Sequence, residues 1–459
     1  AKIRQHGDNA MPSKTQQGLS RTIHYSGAES ALNNSEATAQ QPQDWSASVL
    51  PAVPRYTGLR GYSFALYIPR VTTPCHRGAV AGMCVLAVTT ALGQAPRREL
   101  GSQPLLPDPP YGYEGTGLPS HFTATDGPDS VATTDNTPAS NPTTNAGATL
   151  GRVLFYDTRL SANDTVSCGS CHLQQHGFSD PRRYSLGFDG RSTRRHAMSL
   201  TNARYYARGR FFWDERSTSL EAQVLEPIQD PIEMGLSLDA MREKLGRVPF
   251  YRPLFERAFG TTEVTVNRVS RALAQFVRAL VSAGAPYDRA RAAGRPGSTA
   301  FNARLSATAR LGHQLFVTAP SPGVRGGGCS RCHVGDAQIS LSPRNIGLDP
   351  DGTGDPGAND GRFKAPSLRN VAARAPYMHD GRFGNLREVI EHYDRRVEPS
   401  QFLDMTLLDR RLAVTGGPIQ PVRLQLTNRE IDGLVAFLRT LTDDGFLSDP
   451  RFSDPFPRR

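Results

Sequence analysis

The stretches Cys168-Gly-Ser-Cys171-His172 and Cys329-Ser-Arg-Cys332-His333 decide how this chain is read. Each has the form Cys-x-x-Cys-His, the attachment pattern of a c-type haem. The two thiols form thioether bonds to porphyrin vinyl groups, and the adjacent His is placed to bind the iron on its proximal side. A zinc ribbon would need four ligands close together, but 158 residues separate Cys171 from Cys329. A redox dithiol has no need of a His directly after its second Cys at both sites. Two covalently bound c haems are therefore expected. The other cysteines, Cys75 and Cys84, lie upstream of both motifs.

Working outward, the chain has 459 residues and a formal net charge of +10. That length is enough for two or three domains. No basic run interleaves with aromatic residues, so a nucleic-acid partner is not supported. Residues 78–95 are apolar and small, and Arg70 and Arg77 precede them. This is the shape of a secretory signal, and it is short for a membrane span. An exported, periplasmic protein is expected. Residues 1–77 read as an irregular leader outside the mature protein, and cleavage would remove Cys75 and Cys84. Residues 96–147 are rich in Pro, Gly, Ser, Thr, Asn and Asp. They read as a weakly structured lead-in, with order beginning near Ala148.

An internal repeat divides the remainder. Phe276-Val-Arg-Ala-Leu280 lies in a helical run from Asn267 to Val281, and Phe437-Leu-Arg-Thr-Leu441 in one from Asn428 to Leu441. Phe276 follows His172 by 104 residues, and Phe437 follows His333 by the same 104. The second run opens on a capping box, Thr427-x-x-Glu430, and Leu434, Phe437, Leu438 and Leu441 share one face. Strand-like alternation is scarce. The expected fold is mainly α, with a haem domain over 148–295, a second over 296–447, long loops and a tail over 448–459.

Further stretches accompany the two motifs. They are Gly151-Arg-Val-Leu-Phe-Tyr-Asp, Phe212-Trp213-Asp214-Glu215-Arg216, Glu226-Pro-Ile-Gln-Asp-Pro-Ile-Glu233-Met234, Phe363-Lys-Ala-Pro-Ser-Leu-Arg-Asn370 and Pro376-Tyr-Met-His379-Asp-Gly-Arg. Together they resemble the bacterial diheme cytochrome c peroxidase and MauG family over about residues 145–445. The resemblance implies two cytochrome-c-like domains packed against each other, with a peroxidatic N-terminal haem and an electron-passing C-terminal one. It implies H2O2 as substrate and a small periplasmic electron donor, a cytochrome c or a cupredoxin.

What closes the second axial position of each iron sets the chemistry. Where some relatives carry a His that caps the N-terminal haem, this chain has Phe188, which cannot ligate iron, so that haem is expected open. His176 and His196 remain nearby in sequence. Fourteen residues after His379, where peroxidase-like relatives have Met, stands Tyr393. Tyr there resembles the MauG-like branch. Tyr393 is the candidate ligand, with His392 and Met405 as rivals. Peroxide chemistry needs a group that moves a proton between the two oxygens, and burial can bring a carboxylate toward neutrality for this task. By the same resemblance Glu233 is that acid–base, Gln223 orients a distal water, and Pro227 shapes the pocket. Trp213 then lies between the domains, although packing alone would also account for a tryptophan.

The family's Ca²⁺ would fall at His196, with carbonyls from Arg374 and Pro376, and His is a poor ligand for that ion. Relatives that oxidise a protein substrate have Trp two residues before the second haem motif, where this chain has Gly327. Two other readings stay open, a MauG-like oxidase that modifies a partner protein or small molecule, and a non-catalytic diheme electron carrier.

Overall fold

The computed structural model describes residues 103–115, 117–126, 130–351, 353–409 and 420–457. The leader, the signal-like segment, Cys75 and Cys84 lie outside the described residues. Among those described there are helices, turns and isolated β-bridges but no strand. The longer helices are α1 (Asn145–Tyr156), α2 (Leu238–Gly246), α3 (Tyr251–Phe259), α4 (Val266–Ala279), α5 (Pro286–Ala293), α6 (Ala307–Val317), α7 (Leu386–Glu391), α8 (Asn428–Arg439) and α9 (Asp444–Ser448). Both helical runs of the repeat are present as α4 and α8, and the capping box forms at the start of α8.

The repeat has a packing reason. In each half a helix that precedes the haem motif crosses the helix that closes the domain, α1 on α4 and α6 on α8. Glycine permits the approach. A Cβ on Gly151 would lie 2.0 Å from the Ala272 carbonyl oxygen, and one on Gly312 only 1.8 Å from that of Gly433. Backbones in such contact leave no room for any side chain. Gly151 and Gly312 are 161 residues apart, as are Phe155 and Phe316, and Phe276 and Phe437. Every one of these phenylalanines is buried.

The loops are anchored in the same duplicated way. Asn202 and Asn370 both adopt the left-handed conformation, at φ 59° and 60°. Their backbone N–H groups donate to the carbonyls of Leu280 and Leu441, each at 2.9 Å. Their side-chain oxygens accept from the backbone of Ser282 and Asp443 at 2.8 and 2.7 Å. These bonds tie the chain after each haem motif to the end of its closing helix.

Two large cores result. The first gathers α1 to α4, and the second α5 to α8. They divide between Leu280 and Tyr287, ahead of the boundary drawn at residue 295. The chain then returns, because Phe446, Phe452 and Phe456 pack into the first core. A third cluster joins Phe122 and Val131 of the lead-in to Tyr205 and Tyr206 of the first domain and Ala337 and Ile339 of the second. Order thus begins well before Ala148. Tyr113 and Phe122 are buried, and His121 Nε2 lies 2.8 Å from Asp288 in α5. The apolar residues of this segment are few and follow no period, and the partners of Phe122 and Val131 lie far along the chain. Composition alone therefore gave it the look of a loose linker.

Candidate functional site: two cavities joined at Trp213

Cys168–Cys171 is a single helical turn opened by a reciprocal cap between Ser167 and Ser170, with His172 at its end. Nδ1 of His172 donates to the Phe178 carbonyl at 2.8 Å, which leaves Nε2 as the lone-pair nitrogen. In the second domain Cys329–Arg331 form a turn and His333 follows it. Burial lowers the pKa of both imidazoles, that of His333 to about 4 with help from the Arg374 cation. Both are therefore neutral and competent as ligands. Burial holds the Cys168 and Cys329 thiols neutral as well, pushing both up to about 12. All four motif cysteines are free of disulfides.

Each motif opens into a cavity. The first, partly open to solvent, is lined by Cys171, His172, Gln223, Pro227 and Glu233. The second is walled by Cys329, Cys332, His333 and Tyr393 with Leu386, Ile390, Leu434 and Leu438. A neutral imidazole, a pair of free thiols and an apolar wall suit a covalently held macrocycle. The residues present fit a haem in both places.

In the first cavity Glu233 has its pKa raised to about 7, by burial first and then by the negative charge of Asp230. The local chain holds it there. Asp230 Oδ1 accepts from the backbone of Ile232 and Glu233 at 2.7 and 3.1 Å, and the Phe188 N–H donates to the Glu233 carbonyl at 2.9 Å. The Phe188 ring lies against Gly235 and is not among the residues lining the cavity. Its backbone positions the Glu233 loop.

The rival ligands lie elsewhere. His176 Nδ1 is 3.2 Å from the Ala373 carbonyl and lines neither cavity. His392 Nε2 is engaged with the Ile346 carbonyl at 2.9 Å and is absent from the cavity wall. Met405 is 64% exposed. His196 lines both cavities, but its Nε2 sits 3.0 Å from Ser179 Oγ and its Nδ1 3.2 Å from the Arg182 and Arg183 carbonyls. The proposed Ca²⁺ position is thus taken up by an imidazole beside the buried Arg374 cation. No cluster of three His, Cys, Asp or Glu able to hold a metal ion occurs among the described residues. These residues do not fit a divalent cation.

Trp213 lines both cavities. Its Nε1–H donates to the His196 carbonyl at 2.8 Å, and its ring meets His379 edge-on, centroids 6.4 Å apart. His379 in turn stacks on Phe363 at 3.7 Å. Beside this junction Arg195 pairs with Asp214 of its own domain and Asp355 of the second, both at 2.6 Å. Arg195, Asp355 and Lys364 were not singled out from sequence. The only available signal was that Lys364 lies inside a quoted stretch.

Comparison with known proteins agrees with this architecture. Residues 145–295 match the family described as di-haem cytochrome c peroxidase. The chain is 36% identical over 313 residues to the methylamine utilization protein MauG of Methylorubrum extorquens, covering 66% of this chain and 80% of that protein. It is 31% identical to the cytochrome c551 peroxidase of Nitrosomonas europaea, covering 65% of this chain and 80% of that one. The crystal structure of a MauG-like protein associated with microbial copper homeostasis superposes with a TM-score of 0.61 at 30% identity, covering 74% of this chain and 99% of that one. No helix among the described residues is long and apolar enough to cross a membrane. With a duplicated helical fold, two fitted cavities and relatives of this identity and coverage, the chain is an oxidoreductase that belongs to the diheme cytochrome c peroxidase and MauG family.

Proposed function

We propose that this protein is a periplasmic diheme peroxidase that reduces H2O2 to water at the N-terminal cavity, drawing electrons through the C-terminal one. The observation that carries the reading is the unequal furnishing of two related cavities. An acid–base carboxylate with a pKa of about 7 lines the first, and a tyrosine shares the second with the proximal His333. When bound at His172 and His333, covalently held haems supply the redox-active iron. Glu233 as carboxylate takes a proton from one peroxide oxygen and returns it to the other, so that water leaves. Gln223 orients the incoming molecule, and Pro227 narrows the approach. Tyr393 lines the second cavity with His333; the two would hold a haem there, and a haem so held would serve as an electron relay rather than a peroxide site. Trp213 spans the gap between the cavities. A small cytochrome c or cupredoxin in the periplasm supplies the electrons. Calcium has no part in this reading.

The test is steady-state peroxide consumption with a reduced small cytochrome c as donor. The fully oxidised protein as isolated is expected to turn over at once. A requirement for prior half-reduction would mean that a ligand occupies the first haem, and absence of turnover would remove the peroxidase reading.

A second reading, an oxidase that modifies a partner, draws on the MauG relatives at up to 36% identity. Gly327, which stands where such enzymes carry Trp, weighs against it. Turnover with the partner but not with a small donor would favour it.

A further inference from the structure

The two cavities differ in charge as well as in ligands. In the first, Arg195 engages both Asp214 and Asp355, and Lys364 is the one Lys or Arg that also lines the second. In the second, Arg344, Lys364 and Arg374 face a single carboxylate, Asp404, which Arg344 already holds at 2.6 Å. Among the described residues neither Lys364 nor Arg374 has a carboxylate at ion-pair distance, and burial lowers the pKa of Lys364 to about 7 and that of Arg374 to about 10.

Lys364 is 3% exposed and Arg374 8%. Nζ of Lys364 donates to the Arg210 carbonyl at 3.1 Å and sits over the Tyr206 and Phe211 rings, 4.0 and 4.4 Å from their centroids. The carboxylate that acts on it, Glu215, is already held by Arg208 at 2.8 Å and by the Tyr206 hydroxyl. Arg374 donates to the Ser367 carbonyl at 2.6 Å, while its Nε has no partner. A buried charge with no opposite charge is costly, so such a group gives up its proton, the direction in which burial pushes Lys364, unless an anion brought beside it holds the charge. Arg374 lines the second cavity alone, but Lys364 lines both.

A haem carries two carboxylates. We propose that Lys364 is a shared anchor that holds a porphyrin carboxylate in each cavity and couples the potentials of the two haems, while Arg374 holds one in the second cavity only. This rests on the reading that both cavities hold haem. A porphyrin carboxylate beside Lys364 would hold the proton on its amine, and a cation beside a haem favours the reduced, less positive iron. Both centres therefore feel Lys364, and only the second feels Arg374.

The test is a spectroelectrochemical titration of the holoprotein, without peroxide. Lys364→Met is expected to shift both reduction equilibria toward the oxidised form by at least tenfold, which is 59 mV for a one-electron couple. Arg374→Met should shift the second haem alone, and Lys364→Arg should leave both within threefold of the parent. If Lys364→Met does not accumulate, Lys364→Gln makes the same comparison. A Lys364 variant that moves one haem only, or neither, overturns the shared anchor. So does an arginine variant that shifts as far as the methionine one. Because no peroxide is present, failure of turnover leaves this result standing, whereas absence of a second haem couple would overturn both readings.

Discussion

Glu233→Gln abolishes peroxide turnover, with a loss on the order of 10²–10⁴-fold, while both haems stay bound. The amide keeps the shape of the carboxylate but cannot take up the proton. The pH profile should separate this role from a structural one. The working base is the carboxylate, and its pKa is raised from 4.5 to about 7. Turnover therefore rises with pH through an inflection near 7, and that inflection disappears in the amide variant. Stability moves in the opposite sense. A carboxyl whose folded pKa is raised costs nothing below its unfolded value and progressively more as pH rises toward the folded one. Here the penalty grows between pH 4.5 and 7 and reaches up to about 3 kcal/mol, at 1.36 kcal/mol per unit. The amide removes it. Glu233→Gln should therefore be more stable than the parent at pH 8 and nearly equal to it at pH 4. Turnover surviving in this variant would show that the acid–base is another group.

Tyr393→Met raises the midpoint potential of the second haem by more than about 100 mV, within the roughly 0.8 V range that axial ligands span. The phenol is buried beside the Cys332 and Cys329 thiols, and burial pushes its pKa well above 10. It stays protonated unless a cation takes the place of the proton, and ferric iron is such a cation. An anionic ligand stabilises ferric and higher states relative to a thioether. The exchange for Met removes that preference, and Tyr393→Phe should lose the low-spin signature of the second haem altogether. An unchanged low-spin spectrum in Tyr393→Phe would exclude the ligand role. His392, fixed to the Ile346 carbonyl, and the exposed Met405 are poorly placed to substitute.

Much of this was legible because the relevant signals are local. Cys-x-x-Cys-His is a five-residue pattern, and the buried face of α8 repeats with the helical period, so Phe437 and Leu434 announce themselves. The matched offset of Phe276 and Phe437 exposed the duplication without any alignment. Glu233 and Tyr393 are candidates through the family resemblance and its motif spacing, not through any physical property of the single residue. The inter-domain details were illegible for a physical reason. Arg195 meets Asp355 across 160 residues of chain, and nothing in either loop encodes that meeting. Lys364 reads as an ordinary surface cation until its burial is known. The lead-in reads as a linker because His121 and Phe122 find their partners only in the folded molecule. Phe188 stands in the sequence as a residue that cannot ligate iron, and nothing in its type encodes the bond from its backbone N–H to the Glu233 carbonyl.

On the proposed function the two related cavities hold unequal haems, one open beside Glu233 and one closed by Tyr393. Electron paramagnetic resonance of the resting, fully oxidised holoprotein distinguishes such a pair from two closed haems. One high-spin ferric signal, lost on adding an exogenous ligand, together with one low-spin signal that remains, is the predicted result. Two low-spin signals, with no high-spin component, would contradict the account.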